Sequence, residues 1–134
     1  MIVCSNDQNP ARFTVELEEM LDLTKRYQVA VKSISIAKPS NKMGGKQLGF
    51  IFSNVVPPTS VNLGKRRFMA MFPFGSKDGY NHYEFMNPTY RAVSQTAFID
   101  MQFDIRNIKN EQFIFSDESK TNFPTVLALH FQEI

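Results

Sequence analysis

Few residues of this chain have a type and a spacing that suit metal binding or catalysis. There are two histidines, His82 and His130, and a single cysteine, Cys4. A metal site needs several His, Cys or carboxylate ligands at close spacing, and neither histidine has a second ligand so placed. Because a lone histidine is usually packed or solvated, we predict structural roles for both and no bound metal.

The carboxylates, the thiol and the serines also lack the surroundings that catalysis needs. Acid–base catalysis uses two carboxyl groups in different environments inside a cleft, whereas Asp100 and Asp104 fall on the polar side of an alternating segment. No motif gives Cys4 a base or a positively polarised setting. The serines show no nucleophile-elbow pattern, and Gly44–Lys46 lacks the spacing of a phosphate-binding loop. We therefore predict a protein that is not an enzyme, with no cofactor and no catalytic, cofactor-binding or metal-binding residue.

The basic cluster Lys65–Arg67 is the remaining candidate site. Three adjacent cations give only weak support for contact with nucleic acid, because strong phosphate affinity needs more charges. We interpret the cluster as a solvated loop that leads into a strand beginning near Phe68.

The apolar and polar residues alternate in a way that predicts strands to carry these side chains. The clearest strand patterns cover residues 13–17, 27–37, 98–106 and 125–131. Within 27–37 the apolar parity changes between Val31 and Ile34, which predicts either a β-bulge near Lys32–Ser33 or a strand covered on both sides.

Shorter segments complete the pattern. Residues 48–52 are apolar throughout, and so are residues 67–72 after the first residue, Arg67, which favours strands buried on both faces. Asn87–Pro88 predicts a turn between short strands at 83–85 and 90–93. We predict a turn or a single helical turn at 18–23 and a loop at 39–46. About eight short strands without a long helix indicate a β-sandwich or barrel, and nothing divides residues 1–134 into more than one domain.

Composition agrees with one compact β domain. The chain has 134 residues, of which 43% are hydrophobic and 21% charged, and it contains 13 Phe but no Trp. A net charge of +2 is too small to imply binding to nucleic acid or to a membrane. Cys4 cannot form an intramolecular disulfide, which favours a reducing compartment. The N-terminus lacks the pattern of a signal peptide, and no apolar run suits a bilayer, so we expect no membrane insertion.

Both ends of the chain carry patterns seen in one family of virus proteins. Near the start, Phe13–Leu17, Leu21–Leu23 and Tyr27–Val31 follow one another. This order resembles the opening of the minor capsid, or penton, proteins of Polinton (Maverick) elements, adintoviruses and related virophages. Tyr27 stands where that family usually has tryptophan.

The end of the chain is similar to the same family. Residues 87–94 resemble its proline-x-tyrosine-x-proline-valine segment, with Ala92 in place of the second proline. Residues 99–106 resemble its penultimate strand, and Val126–Phe131 resembles its closing leucine-x-leucine-histidine-phenylalanine strand. The middle of the chain, roughly 40–80, matches only as strand-rich sequence.

The resemblance implies a fold and a role. The expected fold is all-β, a single jelly-roll β-sandwich of two packed antiparallel four-stranded sheets. The expected function is that of a structural virion protein, which self-associates into a homopentamer at a capsid vertex and contacts a double jelly-roll major capsid protein. Such a protein assembles inside the host cell and is found in the virion.

Three alternatives remain open from the sequence. One is a non-enzymatic β-sandwich that binds carbohydrate or a receptor, although the chain lacks the Trp and the disulfides common in such proteins. The second is a metal-dependent enzyme of the cupin kind, whose dense His/Glu grouping is not seen here. The third is a domesticated capsid protein that no longer assembles.

Overall fold

Strands are the regular elements of this protein. The computed structural model describes residues 1–16, 24–39, 48–61, 64–74, 80–94, 100–115 and 123–134. The strands in these ranges are β1 (Ile2–Cys4), β2 (Arg12–Glu16), β3 (Tyr27–Ala37), β4 (Leu48–Ser53), β5 (Thr59–Val61), β6 (Gly64–Arg66), β7 (Phe68–Pro73), β8 (Tyr80–Glu84), β9 (Arg91–Ala92), β10 (Asp100–Arg106) and β11 (Val126–Glu133). Within the same ranges there is no helix, and hence none that would suit a membrane span. The turn predicted at 18–23 and most of the loop predicted at 39–46 lie outside the described residues.

The strands form two antiparallel sheets that pack face to face. The first sheet has the order β1-β11-β3-β8, with β9 also paired to β3 as a fifth strand. The second sheet has the order β2-β10-β4-β7. Strands β5 and β6 form a separate hairpin. The prediction of an all-β protein with two packed antiparallel sheets is confirmed, whereas the first sheet has five strands instead of four.

The first sheet has a fifth strand because the strand that pairs with one edge of β3 is interrupted. β8 pairs with Ser33–Ala37, and β9 pairs with Gln28–Val29 on the same edge of β3. Between them, residues 85–90 belong to no strand, although the Phe85 N–H still donates to the carbonyl of Lys32 at 3.0 Å. The predicted Asn87–Pro88 turn lies in this segment, and its proline has no N–H to donate to a neighbouring strand. The two short strands therefore lie in line along β3, and they act as one strand with a six-residue bow.

The hydrophobic core lies between the two sheets. On β10, Met101, Phe103 and Ile105 are buried, whereas the residues between them face outward, as the alternation predicts. The Phe103 ring stacks on Phe13 of β2 with 5.3 Å between centroids. The first sheet contributes Leu127 and other alternating residues of β3 and β11 to the same cluster.

The change of parity in β3 is caused by a β-bulge. Ser33 pairs with Ala128 and Val31 pairs with Leu129, so Lys32 is an extra residue without a partner on β11. The bulge lets Val31 and Ile34 both point into the core although they are three positions apart. The first of the two alternatives for this strand is therefore confirmed.

The two uniformly apolar segments form strands as predicted, but only one is covered on both faces. In β4, neighbouring Ile51 and Phe52 point to opposite sides, and both are buried. In β7, Met69 and Phe72 are buried, whereas Met71 is 48% exposed. The prediction of two buried faces is wrong for β7, because this strand is at the edge of its sheet and its outer side is uncovered there.

Polar side chains join the two segments that flank the first and last strands. Thr125 donates its hydroxyl to the carbonyl of Pro10 at 2.7 Å, and its N–H donates to Ser5 Oγ at 2.8 Å. Ser5 and Thr125 are fully buried. Because buried polar groups are costly unless they are paired, these bonds hold the β1–β2 connection against the chain entering β11.

A close approach between β4 and β7 requires a glycine. Gly49 pairs directly with Phe72, and a Cβ built on Gly49 would lie 2.3 Å from Phe72 Cζ. The ring cannot move away easily, because it is buried against Phe74 at 5.0 Å, and Phe74 packs on Phe113 at the same distance. The phenylalanine ring thus occupies the space above the glycine.

We expect Gly49→Ala to lower the free energy of unfolding by about 2 kcal/mol, because the added methyl overpacks the site. Urea denaturation followed by circular dichroism measures this change. In a Phe72→Leu background the same substitution should cost less, because the ring is gone. Equal costs in the two backgrounds would show that the contact does not require glycine.

Candidate functional site

His82 takes part in a chain of hydrogen bonds on the outer face of the first sheet. Its Nδ1 lies 2.7 Å from Ser35 Oγ on the neighbouring strand, and its Nε2 lies 3.3 Å from Glu84 Oε1. Sequence analysis missed this Ser–His–Glu arrangement, because Ser35 and His82 are 47 positions apart and only the register of β3 with β8 brings them together.

This chain of polar groups resembles a catalytic triad in composition but not in setting. A triad acts beside hydrogen-bond donors that stabilise an oxyanion, in a site that excludes water. The His82 and Glu84 side chains are 53% and 77% exposed on a sheet surface, and the cleft described below is on the other sheet. Exposed pairs of this kind contribute little to stability. We therefore interpret Ser35, His82 and Glu84 as a hydrogen-bond network on the surface of the first sheet.

His130 contacts Tyr90 on the same outer face. Tyr90 Oη lies 2.5 Å from His130 Nδ1, and the two rings meet edge to face with 5.7 Å between centroids. His130 is on β11 and Tyr90 precedes β9, so the pair spans the middle strand β3. Ala30 of β3 pairs directly with His130 and is only 1% exposed. This contact holds the bow at residues 85–90 against the sheet.

Cys4 and Tyr80 lie at the same end of the first sheet, on its edge strands β1 and β8. The Cys4 Sγ accepts a hydrogen bond from the Asn6 N–H at 3.4 Å. Tyr80 Oη donates to the carbonyl of Pro124. Burial raises the pKa of the Tyr80 phenol, and the charge of a Cys4 thiolate adds to that increase. Both effects favour the protonated phenol, which is the form that can donate to Pro124.

The outer face of the second sheet carries the polar side chains that alternate with the core. Three pairs stand directly opposite one another on β2 and β10: Arg12 with Asp104, Thr14 with Gln102, and Glu16 with Asp100. Asp100 and Asp104 are thus on the polar side of β10 as predicted. Because opposite residues on neighbouring strands lie within reach of each other, this face has a basic end and an acidic end.

A cleft of about 500 Å³ lies at the basic end of this face. Its floor is formed by β2, β10 and the end of β4, and one side is formed by the chain that follows the β5–β6 hairpin. Three arginines and one aspartate line it: Arg12, Arg66, Arg67 and Asp104. The cleft therefore carries an excess of two positive charges.

Asp104 is the centre of a charge network in the cleft. Arg106 Nε donates to Asp104 Oδ2 at 2.9 Å, and Arg66 Nη2 lies 3.9 Å from the same oxygen. Asp104 Oδ1 is buried and has no hydrogen-bond partner among the residues that the structure describes. One carboxylate thus holds two guanidinium groups in place, and it uses only one of its oxygens to do so.

Arg66 is fixed by an aromatic ring as well as by charge. Its guanidinium carbon lies 4.0 Å from the centroid of the Phe52 ring, within cation–π distance. Phe52 is consequently only 4% exposed although it points away from the core cluster. Arg66 Nη1 also donates to Asn110 Oδ1.

The interpretation of Lys65–Arg67 as a solvated loop is wrong. Lys65 and Arg66 belong to β6, Arg66 covers Phe52, and Arg67 Nη1 donates to the carbonyl of Val56 at 3.0 Å. Sequence analysis missed these contacts because the basic cluster and its partners are far apart in the chain. The only local signal was the uniformly apolar 48–52 segment, which implied that something covers the outer side of β4.

The described residues show no other obvious ligand set. Among them, no group of three or more His, Cys, Asp or Glu residues is arranged to hold a metal ion. The cleft offers cations, amides and hydroxyls, which suit an anionic ligand by charge complementarity.

We expect Arg66→Lys to lower the free energy of unfolding by about 1 kcal/mol, because lysine keeps the charge but loses the planar contact with Phe52. Arg12→Lys is the matched control. The Arg12 side chain is exposed, so its replacement should change stability by less than about 0.5 kcal/mol. Urea denaturation compares the two, and equal effects would exclude a stabilising role for the Arg66–Phe52 contact.

Comparison with protein-family models, curated proteins and solved structures found no match to this chain. Its function is therefore argued from the order of its strands, from the outer faces of its sheets and from the cationic cleft.

Proposed function

We propose that the chain is a single jelly roll that serves as a structural subunit of a virus shell, of the minor capsid or penton class. It acts by self-association into a homopentamer at a capsid vertex and by contact with a double jelly-roll major capsid protein. The role is performed in the virion and needs no catalysed reaction.

The observation that carries this proposal is the pairing of the strands. With β8 and β9 taken as one interrupted strand, and the β5–β6 hairpin as an excursion, the described residues form eight strands. The first pairs with the eighth, the second with the seventh, the third with the sixth and the fourth with the fifth.

These four pairings are those of an antiparallel ribbon that has been rolled up. Rolling brings the eighth strand beside the third and the seventh beside the fourth, which are the pairings β11 with β3 and β10 with β4. These pairings support the proposal of a jelly roll, an architecture found in viral capsid proteins, lectins and cupins. Because one fold serves several functions, the choice of a capsid role depends on the resemblance of both chain ends to penton proteins.

The connection between β10 and β11 offers a surface suited to assembly. Ile108 and Ile114 are 59% and 60% exposed on this segment. Asn107 orders the first of them, since its Oδ1 accepts hydrogen bonds from the N–H groups of Lys109 and Glu111 at 2.9 and 2.8 Å. An ordered loop loses little conformational entropy on binding, so exposed apolar groups on it can stabilise a subunit contact.

A ring follows from such a contact when it is heterologous. Each subunit then uses one surface to contact the next subunit and a different surface to contact the previous one, and the ring closes if the rotation permits. The exposed apolar residues of the β10–β11 connection would form one of these two surfaces.

We expect the purified protein to form pentamers, alone at high concentration or together with a double jelly-roll major capsid protein from the same source. Sedimentation velocity gives the mass of the assembly, and negative-stain imaging gives its symmetry. A protein that stays monomeric under all these conditions, including with its partner, would contradict the proposal.

Substitutions on the β10–β11 connection test the proposed contact surface. Ile108→Asp and Ile114→Asp should each weaken pentamer formation about tenfold or more, since a charge would be placed in an apolar interface. Met86→Asp, at a side chain 91% exposed on the bow between β8 and β9, is the control and should leave assembly unchanged. Equal weakening of pentamer formation by all three variants would show that the effect is not specific to the β10–β11 connection, which would contradict its role as the contact surface.

A further inference from the structure

We propose that the cationic cleft on the outer face of the second sheet binds a short acidic peptide segment of a partner protein. This inference goes beyond the proposed capsid role and does not depend on it. It requires only the geometry of β2, β4, β10 and the β5–β6 hairpin.

The floor of the cleft presents hydrogen-bond donors that nothing in the described structure uses. Arg12, Thr14 and Gln102 are exposed neighbours on β2 and β10, and Thr14 and Gln102 stand directly opposite each other. Among the described residues, their side chains make no hydrogen bond or ion pair. A guanidinium, a hydroxyl and an amide are therefore available together to a ligand that accepts hydrogen bonds.

The charge of the cleft selects an anion. Asp104 already pairs with Arg66 and Arg106, so its single charge is shared between two guanidinium groups. Arg12 lies directly opposite Asp104 yet forms no ion pair with it. An incoming carboxylate can pair with Arg12 through two parallel hydrogen bonds, the strongest geometry for such a pair.

The Arg66 guanidinium strengthens the same preference. It is held flat on the Phe52 ring and bonded to Asn110, so it does not have to be ordered when a ligand arrives. A positive group that is already in position costs less conformational entropy on binding than a mobile one. The cleft thus combines Arg66, a guanidinium already held in position, with Arg12, whose side chain makes no ion pair or hydrogen bond among the described residues.

The distribution of charge favours a peptide over a nucleic acid. A nucleic acid carries a phosphate at every nucleotide, and its affinity depends on many phosphate contacts. Along this face it would meet Glu16 and Asp100, which stand opposite each other at the acidic end. A peptide with one or two carboxylates can instead place them in the cleft, and its backbone carbonyls can accept from Gln102 and Thr14.

A titration with three probes tests the proposal. Fluorescein-labelled hexaglutamate, hexaglutamine and a twelve-nucleotide oligothymidylate are each titrated with the protein at low salt, and fluorescence anisotropy reports binding. We expect saturable binding of hexaglutamate only, weakened by added salt because the attraction is between charges. In ¹⁵N-labelled protein, the backbone amide signals of Arg12, Thr14 and Gln102 should shift on addition of hexaglutamate.

Matched variants locate the site. Arg12→Gln should weaken hexaglutamate binding about tenfold, the effect of losing one charged hydrogen-bonding group. Arg26→Gln removes an equally exposed arginine ahead of β3, away from the cleft, and should leave binding within about twofold. Circular dichroism confirms that both variants remain folded.

Three results would overturn the inference. The first is equal binding of hexaglutamate and hexaglutamine. The second is tighter binding of oligothymidylate with shifts of the same amide signals, which would make the cleft a nucleic-acid site. The third is an equal loss of binding in the Arg12→Gln and Arg26→Gln variants, which would indicate attraction to the overall charge of the protein.

Discussion

The fold depends on the insertion of the last two long strands between strands from the first half of the chain. β11 lies between β1 and β3, and β10 lies between β2 and β4. Among the described strands, β1 pairs only with β11, and β2 pairs only with β10. Both sheets are therefore completed by contacts between distant parts of the sequence. Large loops must close before such contacts can form, so conformational entropy is lost before the contacts stabilise the fold. This property is typical of slow-folding β proteins.

The same arrangement separates the inner faces of the sheets from the outer ones. The inner faces bury the alternating apolar residues against each other and account for most of the stability. The outer faces carry the polar and charged side chains. The first sheet presents two histidines, each within hydrogen-bond distance of a side chain brought close by strand pairing. The second sheet presents a basic end and an acidic end, and the cleft lies at its basic end.

The proposed assembly surface and the cleft are physically different kinds of site. Ile108 and Ile114 offer exposed apolar area on the described part of the β10–β11 connection, which suits the proposed contact between subunits. The cleft offers localised positive charge, with Arg66 held by Asp104 and Phe52. Such charge favours specificity and a fast association rate. Asn110 links the two regions, since its side chain accepts from Arg66 and its carbonyl accepts from Arg106 at 3.1 Å.

The sequence by itself determined that this is a β protein, where β2, β3, β10 and β11 lie, and that the apolar parity changes within β3. These features follow from the two-residue period of a strand, which neighbouring residues reveal. Only the tertiary structure decided that Met71 is exposed at a sheet edge, that Arg66 covers Phe52, that Ser35, His82 and Glu84 meet, and that the cleft exists. Each of these depends on which strands become neighbours. That choice is made by contacts between residues dozens of positions apart, and local alternation carries no information about them.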